Sequence, residues 1–594
     1  VKFKQNVVEQ AKTVADGCMG HEDAYCVAAC PMHTDVKKYV SQIGVGDIKG
    51  AMETIREKLF LPNTLGRICA HPCEANCRRE TEFGEAISIA ALKRFAAEHA
   101  DSKDLWDRET AIPSGKRVAI VGAGPAGAQA AIDLRKAGHD VVIYDKLDVC
   151  GGMMRVGIPE YRLPREVIDF EYCYLEDLGV GFRMGIEVGK DILFQQLRNE
   201  YDAVILAHGA HKGSKPPVPG KDHEGVFHAV EYLKEISLTR KFPKAGKKIA
   251  VIGGGDVAMD CARSSWRIGA DQVYLISLEE YEKLPASKEE IEESQEENVQ
   301  FINGWGTDVI IADMNGRVKT LQMKRVASMF DKEGTFNPSY TDETKEIEVD
   351  TVVFATGQLV EDITEGALEQ KGGGRYIVDP ETLATQLPDV FVAGDASGGV
   401  IVIEAMALGR KAAKSVDRYI ENKDLRQGRN FKSEYSFSTN LNVPLRKGTE
   451  NLPRTSGNHR PAEERKRDFK QYDLGYTREQ AIQEASRCLR CECKLCMTEC
   501  IMMNDYGECP QDIFGAFVEN GDINPIIPYS CNMCGGCTHV CPNDYKIGET
   551  FMAMRKDFII HNKGKSPMKG HKAIEMHQKL GFSKIFCTKV KGVK

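Results

Sequence analysis

Cys531-x2-Cys534-x2-Cys537-x3-Cys541-Pro542 is the spacing with which thiolates wrap a [4Fe–4S] cube. It lies in one of two blocks that together hold sixteen of the chain's twenty cysteines. In two-cube proteins the first three cysteines of such a motif hold one cube and the fourth, here Cys541, crosses to the other. The partner motif upstream is irregular: Cys488-x2-Cys491-x-Cys493-x2-Cys496-x3-Cys500, followed by Cys509-Pro510. Its run Cys493-x2-Cys496-x3-Cys500 fits the last three positions of a ferredoxin motif, with Cys491 or Cys488 as the first, which leaves two of these six cysteines in excess. The N-terminal block reads Cys18-x7-Cys26-x3-Cys30-Pro31, then Cys69-x3-Cys73-x3-Cys77. Zinc is the weaker reading of this block, because structural zinc sites are built on close Cys-x2-Cys pairs that it lacks.

Between the blocks lie two glycine-rich turns. Gly122-Ala-Gly124-Pro125-Ala126-Gly127 closes the apolar run Arg117–Gly122 and opens a helix expected over Ala128–Lys136. The glycines permit a tight turn, and the helix start offers backbone N–H groups to a pyrophosphate. Asp145 ends the next strand, Val141–Asp145, where a carboxylate can bind ribose hydroxyls. The second turn, Gly253-Gly-Gly255-Asp256-Val257-Ala258, has the same context: strand Lys248–Gly253, helix Val257–Ile268, strand Gln272–Ser277. Two such folds in series imply two different dinucleotides. Cys150, Cys173 and Cys261 are too far apart in sequence to form the Cys-x2-Cys or Cys-x4-Cys pair of a disulfide reductase and read as small buried residues. Electrons must then leave this core through metal.

These turns and cysteines need several domains to position them, and 594 residues allow roughly three to five. Composition is that of a globular protein, with 42% hydrophobic and 28% charged residues. The net charge of −8 argues against a nucleic-acid partner. No apolar run approaches the roughly 20 residues of a membrane span. The polar start has no secretory pattern, so a reducing, anaerobic cytoplasm is the expected location. Residues 1–112 show helical periodicity, and short apolar runs at Ala203–Ala207, Val349–Ala355 and Val390–Ala393 read as buried parallel strands.

Three further motifs carry a family resemblance. Gly151-Gly-Met-Met-Arg-Val-Gly-Ile-Pro-Glu-Tyr-Arg-Leu-Pro164, Ala355-Thr-Gly-Gln358 and Val392-Ala-Gly-Asp395 resemble the glutamate synthase small-subunit family. The N-terminal half of dihydropyrimidine dehydrogenase and the flavoprotein subunits of bifurcating transhydrogenases share them, and the likeness runs over residues 18–420. It implies an α/β two-dinucleotide-binding flavoprotein core with an N-terminal helical iron–sulfur domain. FAD would contact Gly152, Met154, Arg162, Gly394 and Asp395, and Gly357 is a further cofactor-binding position. The chain from Ser530 resembles a two-cluster ferredoxin domain, giving a C-terminal ferredoxin-like α domain. The expected divisions are 1–112 (helical iron–sulfur), 113–244 and 350–420 (FAD), 245–349 (NAD(P)), 421–475 (extended linker) and 476–594 (ferredoxin-like).

In the N-terminal block the resemblance implies two clusters, one on Cys30, Cys69 and Cys73 and the other on Cys18, Cys26 and Cys77. His21 and Lys93 stand at the two fourth positions, so six thiolates holding a single cluster is the alternative. NADPH-using members place two arginines where this chain has Leu278 and Glu279. A carboxylate there repels a 2′-phosphate and accepts bonds from a free ribose, which favours NADH over NADPH; the alternative is that Arg263 or Lys283 serves the phosphate. The implied function is a subunit that moves electrons between NADH and redox partner subunits or ferredoxin through [4Fe–4S] clusters, with a flavin-bifurcating complex as one such assembly. The alternatives are an NADPH-dependent glutamate synthase-type small subunit and a cluster-relay scaffold with an idle nucleotide site.

Overall fold

The computed structural model describes residues 2–399, 401–429, 439–445 and 449–583. Cys587 lies outside them.

The run Val118–Val121 is buried at every position, the pattern of a parallel strand covered on both faces. It sits at the centre of a five-stranded parallel sheet in the order Val390–Val392, Ala203–Leu206, Arg117–Val121, Asp140–Asp145, Gly181–Met184. The helices Pro125–Lys136 and Val402–Ile420 pack against one another beside it. Residues far apart in sequence thus complete one nucleotide-binding sheet.

A second five-stranded parallel sheet runs Val226–His228, Thr351–Phe354, Lys248–Ile252, Gln272–Ser277, Gln300–Asn303. Its two outer strands on one side come from residues assigned by sequence to the FAD unit. The nicotinamide unit is therefore wider than the expected 245–349 and reaches from Val226 to Phe354. An antiparallel sheet of Trp305–Ala312, Val318–Phe330 and Phe336–Glu348 is inserted in it.

The N-terminal boundary also needs correction. Helix Gln5–Gly17 buries Val7, Ala11 and Val14 against Phe514, Phe517 and Phe551, in the core of the C-terminal domain. Phe3 meets Phe517 and Phe558 edge-on, at 4.9 and 5.2 Å between ring centres. The remaining N-terminal helices share one apolar core with the first sheet, from Ala24 through Met52 and Phe95 to Ile120 and Ala485.

The expected linker 421–475 is a fitted strap where it is described. Leu441 and Val443 are buried with Met19, and Asn458–His459 pairs with Asp473–Gly475. Arg465 and Tyr472 are enclosed. Among the described residues no helix is long and apolar enough to cross a membrane.

Candidate functional site

At the first turn Gly122 has φ +115°, and a Cβ there would lie 2.3 Å from the Ala207 carbonyl oxygen, so only glycine fits. Gly127 closes the helix onto the strand: a Cβ would lie 2.0 Å from the Gly122 oxygen. Gly124 instead faces open space. With Pro125 and Ala126 it walls a cleft, into which the first N–H groups of the helix Pro125–Lys136 open. Asp145 lines the same cleft, accepting from Ala123 N at 2.7 Å and Leu147 N at 2.8 Å, while its burial raises its pKa.

Gly152, Met154, Gly394 and Asp395 line the cleft as well, and Gly357 sits in the turn beside Gln358, which lines it too. A second cavity shares Gly122, Asp145, His208 and His211 with the first. The two cavities adjoin in a trough of mixed polar and apolar lining beside a helix N-terminus, which fits a dinucleotide such as FAD.

Arg162 corrects an expectation. It does not line the cleft; its guanidinium is held by Asp260 at 2.8 and 2.9 Å and by Glu290 at 2.8 Å. It thereby ties the flavin unit to helix Asp256–Arg267 of the nicotinamide unit. Sequence reading missed His208 and His211, which follow strand Ala203–Leu206; burial drives both down to about 4, so they are neutral at pH 7. Their place at the carboxyl end of a parallel strand, where ligands of open α/β sheets bind, was the available signal.

The second turn repeats the first. Gly253 has φ +145°, and Gly255 opens helix Asp256–Arg267 onto free space. Asp256 accepts from Ser287 N at 2.8 Å, and Ala258 is enclosed. Val257 and Asp260 of this helix line the flavin cleft, so the two nucleotide sites meet. Glu279 leans over the turn: a Cβ on Gly254 would lie 2.8 Å from its Oε2. Arg263 is fully enclosed, bonded to Glu290 at 2.8 Å, Glu293 at 2.7 Å and Glu297 at 2.9 Å, so it is not free to bind a phosphate.

The thiols fall into four groups. Cys26, Cys77, Cys488 and Cys491 line one small cavity. Cys30, Cys69 and Cys73 are buried together, with the charge of Lys93 acting on the last two. Cys18, Cys493, Cys496 and Cys541 line another small cavity, and the free thiols of Cys18 and Cys509 are hydrogen-bonded to one another. Cys537 interacts with Cys500 and Cys531, and Cys534 follows in the same loop.

The expected grouping of Cys18 with Cys26 and Cys77 is thus not the one observed. Cys18 caps helix Gln5–Gly17 and travels with it to the C-terminal domain. His21 pairs with Asp512 at 2.5 Å, which raises its pKa, and lies beside Cys509. Among the described residues no three sulfurs of a group come within 4.8 Å of one another. A single tetrahedral ion with 2.3 Å bonds would draw them to about 3.8 Å, so these sites suit a larger cluster.

Comparison with known proteins accords with this architecture. The family model for pyridine nucleotide-disulphide oxidoreductases matches residues 116–415. The model for dihydropyrimidine dehydrogenase domain II, 4Fe-4S cluster, matches residues 2–105 and again 465–554. The beta subunit of the NADP(+)-dependent formate dehydrogenase of Moorella thermoacetica is 36% identical over 507 residues, which covers 79% of this chain and 70% of that one. The small chain of Escherichia coli K12 glutamate synthase [NADPH] is 31% identical, over 69% of this chain and 92% of its own. The NAD-dependent dihydropyrimidine dehydrogenase subunit PreT of Escherichia coli K12 is 32% identical, over 68% and 93%. The chain belongs to the pyridine nucleotide-disulphide oxidoreductase family, as an oxidoreductase that uses FAD, NAD(P) and [4Fe–4S] clusters.

Proposed function

We propose that this chain is the nicotinamide-linked subunit of a multisubunit oxidoreductase, exchanging electrons between NADH and a partner protein or ferredoxin. Bound FAD supplies the conversion between two-electron hydride chemistry and single electrons, which [4Fe–4S] clusters carry onward.

The chain's own residues bind and orient. The N–H groups opening helices Pro125–Lys136 and Asp256–Arg267 hold the two pyrophosphates. Asp145 takes the FAD ribose. Val257 and Asp260 bring the nicotinamide unit to the flavin cleft. His208 and His211, neutral at pH 7, add no charge to it. The thiols of both terminal blocks hold the clusters, and their spread over two domains provides an exit toward a partner.

The observation that carries the choice of NADH is Glu279, whose carboxylate overhangs the Gly254 turn where ribose hydroxyls dock. The relatives from Moorella and the glutamate synthase chain are named for NADP(+) and NADPH, and PreT for NAD.

An anaerobic titration with each nucleotide, followed by flavin absorbance and low-temperature EPR, tests the reading. NADH should bleach the flavin and raise reduced-cluster signals at lower concentration than NADPH. Glu279→Arg should shift the preference toward NADPH by about tenfold or more, as expected for replacing repulsion with attraction at one phosphate. A wild-type response confined to NADPH would reject NADH as the partner, and silence toward both would leave a cluster relay.

A further inference from the structure

Cys26 and Cys77 belong to one end of the sequence and Cys488 and Cys491 to the other, yet all four open into the same cavity. Its other walls are largely apolar, among them Val36, Val40, Ile87 and Ile89. Cys26 interacts electrostatically with Cys77, Cys488 and Cys491, and Cys491 with Cys488 and Cys77, so the four thiols that line this cavity are near neighbours.

The backbone around Cys488 supplies a second, independent observation. Arg490 adopts φ +50°, a left-handed conformation uncommon outside glycine, and its N–H points at the Cys488 sulfur at 3.4 Å. In the ferredoxin motif Met533 adopts φ +64° and its N–H points at the Cys531 sulfur, also at 3.4 Å. The segments Cys488-Leu-Arg-Cys491 and Cys531-Asn-Met-Cys534 therefore share a left-handed third residue whose N–H is placed on the first sulfur. Strain of this kind persists where surrounding structure demands it.

The Cys488 loop is also anchored at its base. Arg79, which is 1% exposed, donates to the Arg487 carbonyl at 3.2 Å and to that of Leu452 at 2.7 Å. Arg487 returns a bond to the Ala86 carbonyl at 3.1 Å, and Glu484 accepts from Ser88 N at 2.8 Å. Lys37 pairs with Glu492 at 2.7 Å on the far side of the loop.

We propose that Cys26, Cys77, Cys488 and Cys491 ligate a single [4Fe–4S] cluster shared between the N-terminal helical domain and the C-terminal segment. This rests on the reading of the chain as an iron–sulfur oxidoreductase and changes its wiring. Cys26 also interacts with Cys73 of the neighbouring thiol trio, so the shared site lies beside that trio. Neither His21 nor Cys18 is needed to complete it.

The test begins with anaerobically purified wild-type chain and the variants Cys26→Ala, Cys77→Ala, Cys488→Ala and Cys491→Ala. Iron and sulfide are counted per FAD, and EPR spectra of the reduced forms are compared. Each variant should lose the same cluster signal and about four iron atoms, one cube. The double variant Cys26→Ala/Cys491→Ala should lose no more than either single one, and His21→Ala should lose none. Loss of about eight iron atoms in the double variant, or loss in Cys26→Ala and His21→Ala without loss in Cys488→Ala, would overturn the shared site.

A variant that fails to fold would lose its FAD too, and wild-type chain then decides. During slow oxidative removal of iron the four cysteines should become open to alkylation in one kinetic phase, read by mass spectrometry. Separate phases for the N-terminal and C-terminal pairs would overturn the proposal. Wild-type chain holding FAD but no iron would reject the functional reading itself and the shared site with it.

Discussion

A lysine enclosed among thiols is costly unless negative charge shares the site. Lys93 is 6% exposed, on helix Ile89–Ala100, and its charge acts on both Cys69 and Cys73. Three cysteinates around an iron–sulfur cube would supply that negative charge, and the ammonium would then serve as a counter-ion rather than as a ligand. Lys93→Met should therefore lower the midpoint potential of one cluster and leave the others in place. At an effective dielectric of about 20 a nearby unit charge is worth on the order of 2 kcal/mol, or about 100 mV for a one-electron couple. An EPR-monitored redox titration reads this directly; unchanged potentials would show that Lys93 faces no cluster. The residues involved were legible by type and spacing, Lys93 included. Their partners were not, because whether Cys18 joins Cys26 or Cys496 depends on where helix Gln5–Gly17 docks. Arg162 shows the same limit: its motif was recognised, but packing gave its guanidinium to Asp260.

The helix Pro62–Ile68 starts against the flavin unit, and Glu171 accepts from its first free N–H groups, Asn63 N at 2.6 Å and Thr64 N at 3.1 Å. Burial pushes Glu171 up to about 7, although the charge of Arg56 and these N–H groups oppose the shift. The native carboxyl thus keeps its proton to about pH 7, whereas an unfolded glutamate releases it near 4.5. Its contribution to stability is complete below 4.5 and is lost as pH rises through 7. Glu171→Gln keeps an acceptor for the helix and removes the titration. Thermal melts should show the wild type losing up to a few kcal/mol between pH 5 and 8 relative to the variant; parallel pH profiles would show that Glu171 stays ionised. At this scale the sequence was most legible where strands are buried on both faces, as at Val118–Val121. It was least legible at Phe336–Glu348, whose almost wholly exposed residues carry no apolar signal and whose strand exists through pairing with Val318–Phe330.

Across the whole molecule, three distant segments meet at one ionic junction: Arg162 of the flavin unit, Arg263 and Arg267 of the nicotinamide unit, and Arg465 of the strap. They face the carboxyl groups of Asp260, Glu290, Glu293 and Glu297; burial pushes Asp260 and Glu293 up to about 7, while the guanidinium charges hold Glu290 and Glu297 down. Tyr161 and Tyr472 lie against the guanidinium groups, with Arg267 3.7 Å from the Tyr161 ring centre and Arg263 4.7 Å from that of Tyr472. Such a network contributes little net stability compared with an apolar core, but breaking one member leaves its partners buried and unpaired. Glu297 is the member with most to lose, since it is 0% exposed and binds Arg263, Arg267 and Arg465. Burial opposes its charge, yet the bond from Arg267 and the charges of Arg263 and Arg267 outweigh this and hold it down to about 2. Glu297→Gln should cost about 3–5 kcal/mol near neutral pH, seen as an earlier release of flavin on heating. A depressed carboxylate stabilises above its unfolded value of 4.5 and loses that contribution as pH falls toward 2. The gap between wild type and variant should accordingly be full at pH 7 and narrow on acidification below 4.5. A gap that stayed constant with pH would mean that the glutamine disturbs packing rather than charge. Absence of any gap would mean that the strap and the two nucleotide units are held together by their apolar contacts alone.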